Sequence, residues 1–106
     1  MSLIDVAKTI GDDLTQIDTT LQTPGIPDPQ WQALYALRKH LNDIQCELIE
    51  ESIDEGDPAY ETLTAQLKAA SVQLSAVLKD LTEVGTIIST VSQIAAYADQ
   101  LLKLAV

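Results

Sequence analysis

The stretch that decides the fold is LTAQLKAASVQLSAVLKDLTEVGTIISTVSQIAAYADQLL, residues 63–102. Its apolar residues Leu63, Leu67, Ala70, Leu74, Val77, Leu81, Val84, Ile88, Val91, Ala95, Ala98 and Leu102 fall alternately four and three apart. That spacing lines them along one stripe of an α-helix, whereas a strand would alternate by two. The same rhythm runs through Leu3, Ala7, Ile10, Leu14, Ile17 and Leu21, and through Leu34, Leu37, Leu41, Ile44 and Leu48. Strand alternation is found nowhere in the sequence, so the expected fold class is all-α.

The stripe crosses Gly85 without a break, and two architectures follow. A single helix over 58–104 would be about 70 Å long at 1.5 Å per residue. It would outrun the helices before it and need a partner chain. A hairpin turning near 82–86, where Thr82, Val84, Gly85 and Thr86 all weaken helix, gives helices near 3–22, 29–54, 58–82 and 86–104. Four helices of similar length suit an antiparallel helical bundle, which is the expected fold. Three helices, with one long 58–104 helix that oligomerises, is the alternative. Residues 1–106 read as one helical-bundle domain.

The breaks between helices have their own chemistry. In Thr23-Pro24-Gly25-Ile26-Pro27-Asp28-Pro29 the prolines forbid helix. Pro24-Gly25 suits the middle of a type II turn, and Asp28-Pro29 reads as an N-cap and first helical position. In Asp54-Glu55-Gly56-Asp57-Pro58, Gly56 is expected to close a helix in the left-handed conformation and Asp57-Pro58 to open the next. The last helix adds Ile87, Ile94, Leu101 and Leu104 to its stripe. Such a wide face fits the central helix of a bundle or an intermolecular face over 84–106. Its charge-free run, 84–98, falls short of the roughly 20 apolar residues of a spanning helix. It reads as a bundle helix first and as a membrane-active segment second.

Charge divides the chain unevenly. Sixteen acids against six bases give a net charge of −10 over 106 residues. Nucleic acid and an anionic membrane surface are therefore not expected as partners. Residues 1–57 hold twelve acids and three bases, and residues 58–106 hold four and three. Glu47, Glu50, Glu51, Asp54, Glu55 and Asp57 fall within eleven residues that contain no base. Like charges one turn apart repel, and a helix C-terminus disfavours acids. A local rule broken in this way points to a docking surface for a basic partner; the competing reading is a solvated helix end. Trp31 and Tyr35, one turn apart after the proline-rich loop, read either as interface anchors or as a lid over the end of the bundle. Tyr60 and Tyr97 read as boundary residues with the hydroxyl in water.

Catalytic constellations are sparse. One cysteine, Cys46, excludes an internal disulfide framework and a cysteine-rich zinc site. The four glycines are too scattered for a phosphate loop. His40 and Cys46, six residues apart on one helix, point to nearly opposite sides. They are expected as a surface histidine and a half-buried small apolar cysteine. His40, Asp43 and Glu47 share a face that Glu50 and Asp54 continue, but no second histidine or Glu-x-x-His pair completes a metal site. The loop at 54–57 is too short to ligate calcium.

The expected function is non-enzymatic, with no cofactor, metal or catalytic residue. The chain is expected to bind another protein, as a small adaptor does, or as an immunity or antitoxin protein masks a basic partner. The candidate binding residues are Trp31, Tyr35, Glu47, Glu50, Glu51, Asp54, Glu55 and Asp57. A self-assembling helical oligomer joined through 84–106 is the alternative, and behind it stands a membrane-active helical toxin component. The start, Met1-Ser2-Leu3-Ile4-Asp5-Val6, has no basic region and no long apolar region, so a secretory signal is not expected. With a lone thiol besides, the expected compartment is the cytoplasm.

Overall fold

A computed structural model describes residues 2–105. The ends, Met1 and Val106, and the side chain of Leu81, which the stripe places inward, lie outside the described residues. Four α-helices follow one another: α1 (Leu3–Leu21), α2 (Asp28–Glu50), α3 (Pro58–Val77) and α4 (Val84–Leu102), the last entered through a 3₁₀ turn at Leu81–Glu83. No strand occurs among the described residues. The helices form a rod of 43 × 21 × 17 Å, so the hairpin prevails over the long helix.

Local chemistry sets each boundary. At the start of α1, Ser2 Oγ accepts from the Asp5 N–H at 3.1 Å and the Asp5 carboxylate accepts from the Ser2 N–H at 3.4 Å, a reciprocal cap. Gly25 takes φ +106°, as the second central position of a type II turn requires. Asp28 does not cap α2. The helix begins at Asp28 itself, behind Pro27, with no side-chain cap. The carboxylate therefore stands in the first turn, where the helix dipole favours it.

Helix α2 stops at Glu50, four residues short of the expected end, and Glu51 is extended at φ −92°, ψ 158°. The stop comes where Glu47, Glu50 and Glu51 crowd like charge onto the end of the helix dipole. Ile53, just beyond, packs back against the core. Gly56 does not close a helix, and Gly25 is the one described residue with positive φ. The Gly56 N–H instead donates to Asp54 Oδ1 at 2.9 Å, forming a small turn before α3. Asp57 caps α3 as expected, its Oδ1 accepting from the Ala59 N–H at 2.9 Å. The α3/α4 turn falls at 78–80, earlier than the expected 82–86. Asp80 fixes it: Oδ1 accepts from both the N–H and the Oγ1 of Thr82, which holds the Asp80 carboxyl below its ordinary pKa.

Paired side chains reveal the arrangement. Asp18 meets Arg38 and Ala7 meets Gln45, so α1 and α2 are antiparallel. Gly11 leaves room for the Gln45 amide, which donates to the Ala7 carbonyl; a Cβ there would meet Gln45 Nε2 at 3.0 Å. Asp13 meets Ser71 and Gln16 meets Ser75, so α1 and α3 run the same way. Helix α4 packs broadly on α3 and α2, while α1 touches α3 along a much thinner seam. Helices α2 and α3 thus occupy opposite corners, and residues 51–57 cross the end of the bundle between them.

The core holds Ile10, Ile17, Leu34, Leu41, Leu48, Leu67 and Leu74, each fully buried. Such a side chain contributes roughly 1.5–3 kcal/mol. In α4 the centre of the buried face is Ile87, Val91, Ile94, Ala98 and Leu101, all 0% exposed. Ile88 and Leu102 from the sequence stripe are only half-buried. Val84, Val91, Ala95 and Ala98 of the stripe stay buried, so across the turn the buried face is rotated only part of the way, toward Ile87, Ile94 and Leu101. The wide apolar face of α4 is accordingly covered within the chain. Tyr60 is not a boundary residue: it is 1% exposed, and burial pushes its phenol pKa up. Tyr97 is half-buried.

Candidate functional site

The six acids of the run do unequal work. Asp54 and Asp57 are occupied as turn and cap acceptors. Glu47, Glu50 and Glu51 enter no hydrogen bond or ion pair among the described residues and stand exposed on the last turn of α2 and just past it. Glu55, also exposed, lies close enough to Tyr60 for its charge to help raise the phenol's pKa. The bundle end around residues 47–57 is therefore a concentration of negative charge that the fold does not neutralise.

Beside it lies a feature that the sequence analysis missed. Leu3, Ile4 and Ala7 of α1 and Ile49 of α2 line an open apolar notch of about 300 Å³. Ile4 is 82% exposed and Ile49 66%. The antiparallel pairing brings the start of α1 level with the end of α2, and the small Ala7 side chain leaves the space between the two isoleucines. A signal was present. Leu3 and Leu48 carry the stripe, so Ile4 and Ile49, next to them in sequence, point away from the core.

The aromatic pair stands at the other end of α2. The Trp31 and Tyr35 rings stack with centroids 5.4 Å apart and planes 7° from parallel. Trp31 Nε1–H donates to the Leu21 carbonyl at 2.9 Å, satisfying the end of α1. Trp31 is half-buried and ties the proline-rich corner together, whereas Tyr35 is 48% exposed. Fifteen residues of helix, about 22 Å, separate Tyr35 from Glu50. The structure does not bring the two candidate patches together.

A buried carboxyl is the second feature that the sequence did not reveal. Asp13 on α1 is 2% exposed and accepts from Ser71 Oγ–H of α3 at 2.6 Å. Burial raises its pKa to about 6, against the Ser71 hydrogen bond, which lowers it; the neighbouring Asp12 adds to the rise. It borders a shallow groove along the α1/α3 seam, shared with Thr9, Gln16, Lys68 and Val72.

His40 and Cys46 are not brought together. His40 Nε2 lies 2.9 Å from Asp99 Oδ2 of α4, and both side chains are about half exposed. Cys46 is exposed rather than half-buried, because it faces outward on the side of α2 away from α4. Among the described residues, no group of three or more His, Cys, Asp or Glu is placed to hold a metal. No described helix is long and apolar enough to cross a membrane. No protein-family model matches the chain, and no curated protein or solved structure matches it either.

Proposed function

We propose that this chain is a non-enzymatic, cytoplasmic protein-binding module that docks a basic protein through its acidic end, as a small adaptor does, or as an immunity or antitoxin protein masks a basic surface. The observation that carries this reading is the set Glu47, Glu50 and Glu51, three carboxylates on a helix end that opposes them, with no cation or N–H partner among the described residues. Folding gains nothing from them there. A partner bearing Lys or Arg would neutralise them, and the field of a chain with net charge −10 would steer its approach. Tyr35 joins such an interface only if the partner spans the length of α2.

The test is affinity capture from the native cell at low and high salt, with the chain and with its Glu47→Gln/Glu50→Gln/Glu51→Gln variant. The expected result is a basic protein held by the parent chain at low salt and lost both in the variant and as salt screens the charges. Equal capture by the two forms at every salt concentration would end the proposal.

A further inference from the structure

We infer that the notch between Leu3, Ile4, Ala7 and Ile49 seats the apolar stripe of an amphipathic, lysine- or arginine-bearing helix of the partner. This rests on the protein-binding reading above and gives the partner its chemistry. Ile4 and Ile49 are two of the four large hydrophobic side chains that stand exposed among the described residues, and they share one notch. Neither supports the fold, because the stripe residues beside them, Leu3 and Leu48, already face inward. Two exposed isoleucines side by side in one notch, on a chain of net charge −10, offer apolar surface that a partner can cover. The notch runs between two antiparallel helices, the shape into which a third helix sets a ridge of side chains one turn apart.

Charge selects the occupant. Ile49 is followed at the end of α2 by the exposed Glu50 and Glu51, whereas Asp5, next to Ile4 in sequence, caps α1 and faces a separate groove with Glu61 and Lys68. Lys8, one turn beyond Ile4, is the lone cation in either flanking segment. A helix entering the notch therefore lies with one flank beside the acidic end of α2, and cations on that flank complete the contact. A second copy of this chain fits poorly: a two-fold contact would set the same acidic run against itself. An anionic lipid surface is repelled for the same reason.

The probe is a synthetic helical peptide with Leu at positions i, i+3, i+4 and i+7 and Lys elsewhere, titrated into the isotopically labelled full chain. Two control peptides carry the same composition in scrambled order and Glu in place of Lys. The expected result is amide shifts concentrated in residues 3–8 and 45–53. Ile4→Ser and Ile49→Ser should each weaken binding about tenfold, the loss that goes with unburying one isoleucine in a contact. Both residues are exposed, so both variants should keep the parent's helical spectrum, and either one alone suffices. Shifts centred elsewhere, tight binding of the scrambled peptide, or affinities within twofold of the parent in both variants would overturn the notch.

Sedimentation separates the other occupant. Self-association of the chain at tens of micromolar that Ile49→Ser abolishes would assign the notch to a second copy and overturn the inference. The two proposals fail differently in capture experiments. If the triple Gln variant loses the partner while the isoleucine variants keep it, the acidic end stands without the notch. If none of the variants changes capture, both fall.

Discussion

The seam between α3 and α4 and the seam between α1 and α3 are built on opposite principles. The first is broad and apolar, closed by residues such as Leu67, Leu74, Ile87 and Ile94, all fully buried. The second is thin and is joined by polar rungs, Ser71 to Asp13 and Ser75 to Gln16, with an open groove beside them. The difference shows that this bundle is held from three sides. Apolar burial supplies its stability where α4 meets α2 and α3 and where α1 meets α2. The fourth side contributes little burial and carries a buried carboxyl, which costs free energy unless it is protonated or hydrogen-bonded.

The sharpest way to break the comparison is to empty the apolar side. Ile94→Ala, at a 0% exposed position in the middle of α4, should lower unfolding stability by about 2–5 kcal/mol. Denaturant titration followed by helical circular dichroism would measure it. A loss below about 1 kcal/mol would mean that α4 is not the centre of the core.

The polar side should respond to pH instead. Asp13 has a folded pKa of about 6 against 3.8 for the free group. Between these values the folded chain keeps a proton that the unfolded chain releases. The stability linked to Asp13 is therefore full below about pH 4, falls as pH rises through 6, and is about 2–3 kcal/mol lower at neutral pH. Asp13→Asn removes the titration while its side-chain carbonyl can still accept from Ser71. The variant should gain about 1–2 kcal/mol over the parent at pH 7.5, and the gain should vanish near pH 4. A difference between the two that does not change over that range would place Asp13 in contact with bulk water. Ser71→Ala reads the same rung from the other partner. It leaves a buried carboxylate without its donor and should cost about 1–2 kcal/mol at pH 8. The cost should shrink toward pH 5, where the carboxyl carries its own proton.

The contrast between the seams also explains what the sequence could and could not reveal. Stripes of four-three spacing follow from burial and the helical period, so helix identity and most of the core were legible. Tyr60 was legible too, since it stands one turn before Leu63 on the α3 stripe, yet its hydroxyl suggested a boundary. The turn at 78–80 was written in Asp80, a cap residue two positions before Thr82, and not in any Gly or Pro. Asp13 was not legible. It flanks the α1 stripe, and whether that flank meets water or another helix depends on which corner α3 occupies. The acidic run of the candidate site was plain from composition. The notch beside it was not, because it exists only once the start of α1 lies level with the end of α2.

The smallest effect is expected within the polar seam itself, at its second rung. Ser75 Oγ–H donates to Gln16 Oε1 at 3.1 Å, but Ser75 is exposed and water competes for both groups. An exposed neutral hydrogen bond of this kind contributes at most about 0.5 kcal/mol net. Alanine has the higher helix propensity by a similar amount, so Ser75→Ala should change stability by about 0.5 kcal/mol or less, in either direction. The same substitution at Ser71, one helical turn away, should cost several times more at pH 8. Hydrogen-bond chemistry and helix context are alike at the two positions, and they differ in whether the acceptor is a buried carboxyl or an amide at the surface. Equal effects would mean that the seam acts as one cooperative network. Unequal effects, with the Ser71 cost alone following pH, would locate the polar stability of this face in the single Asp13 rung.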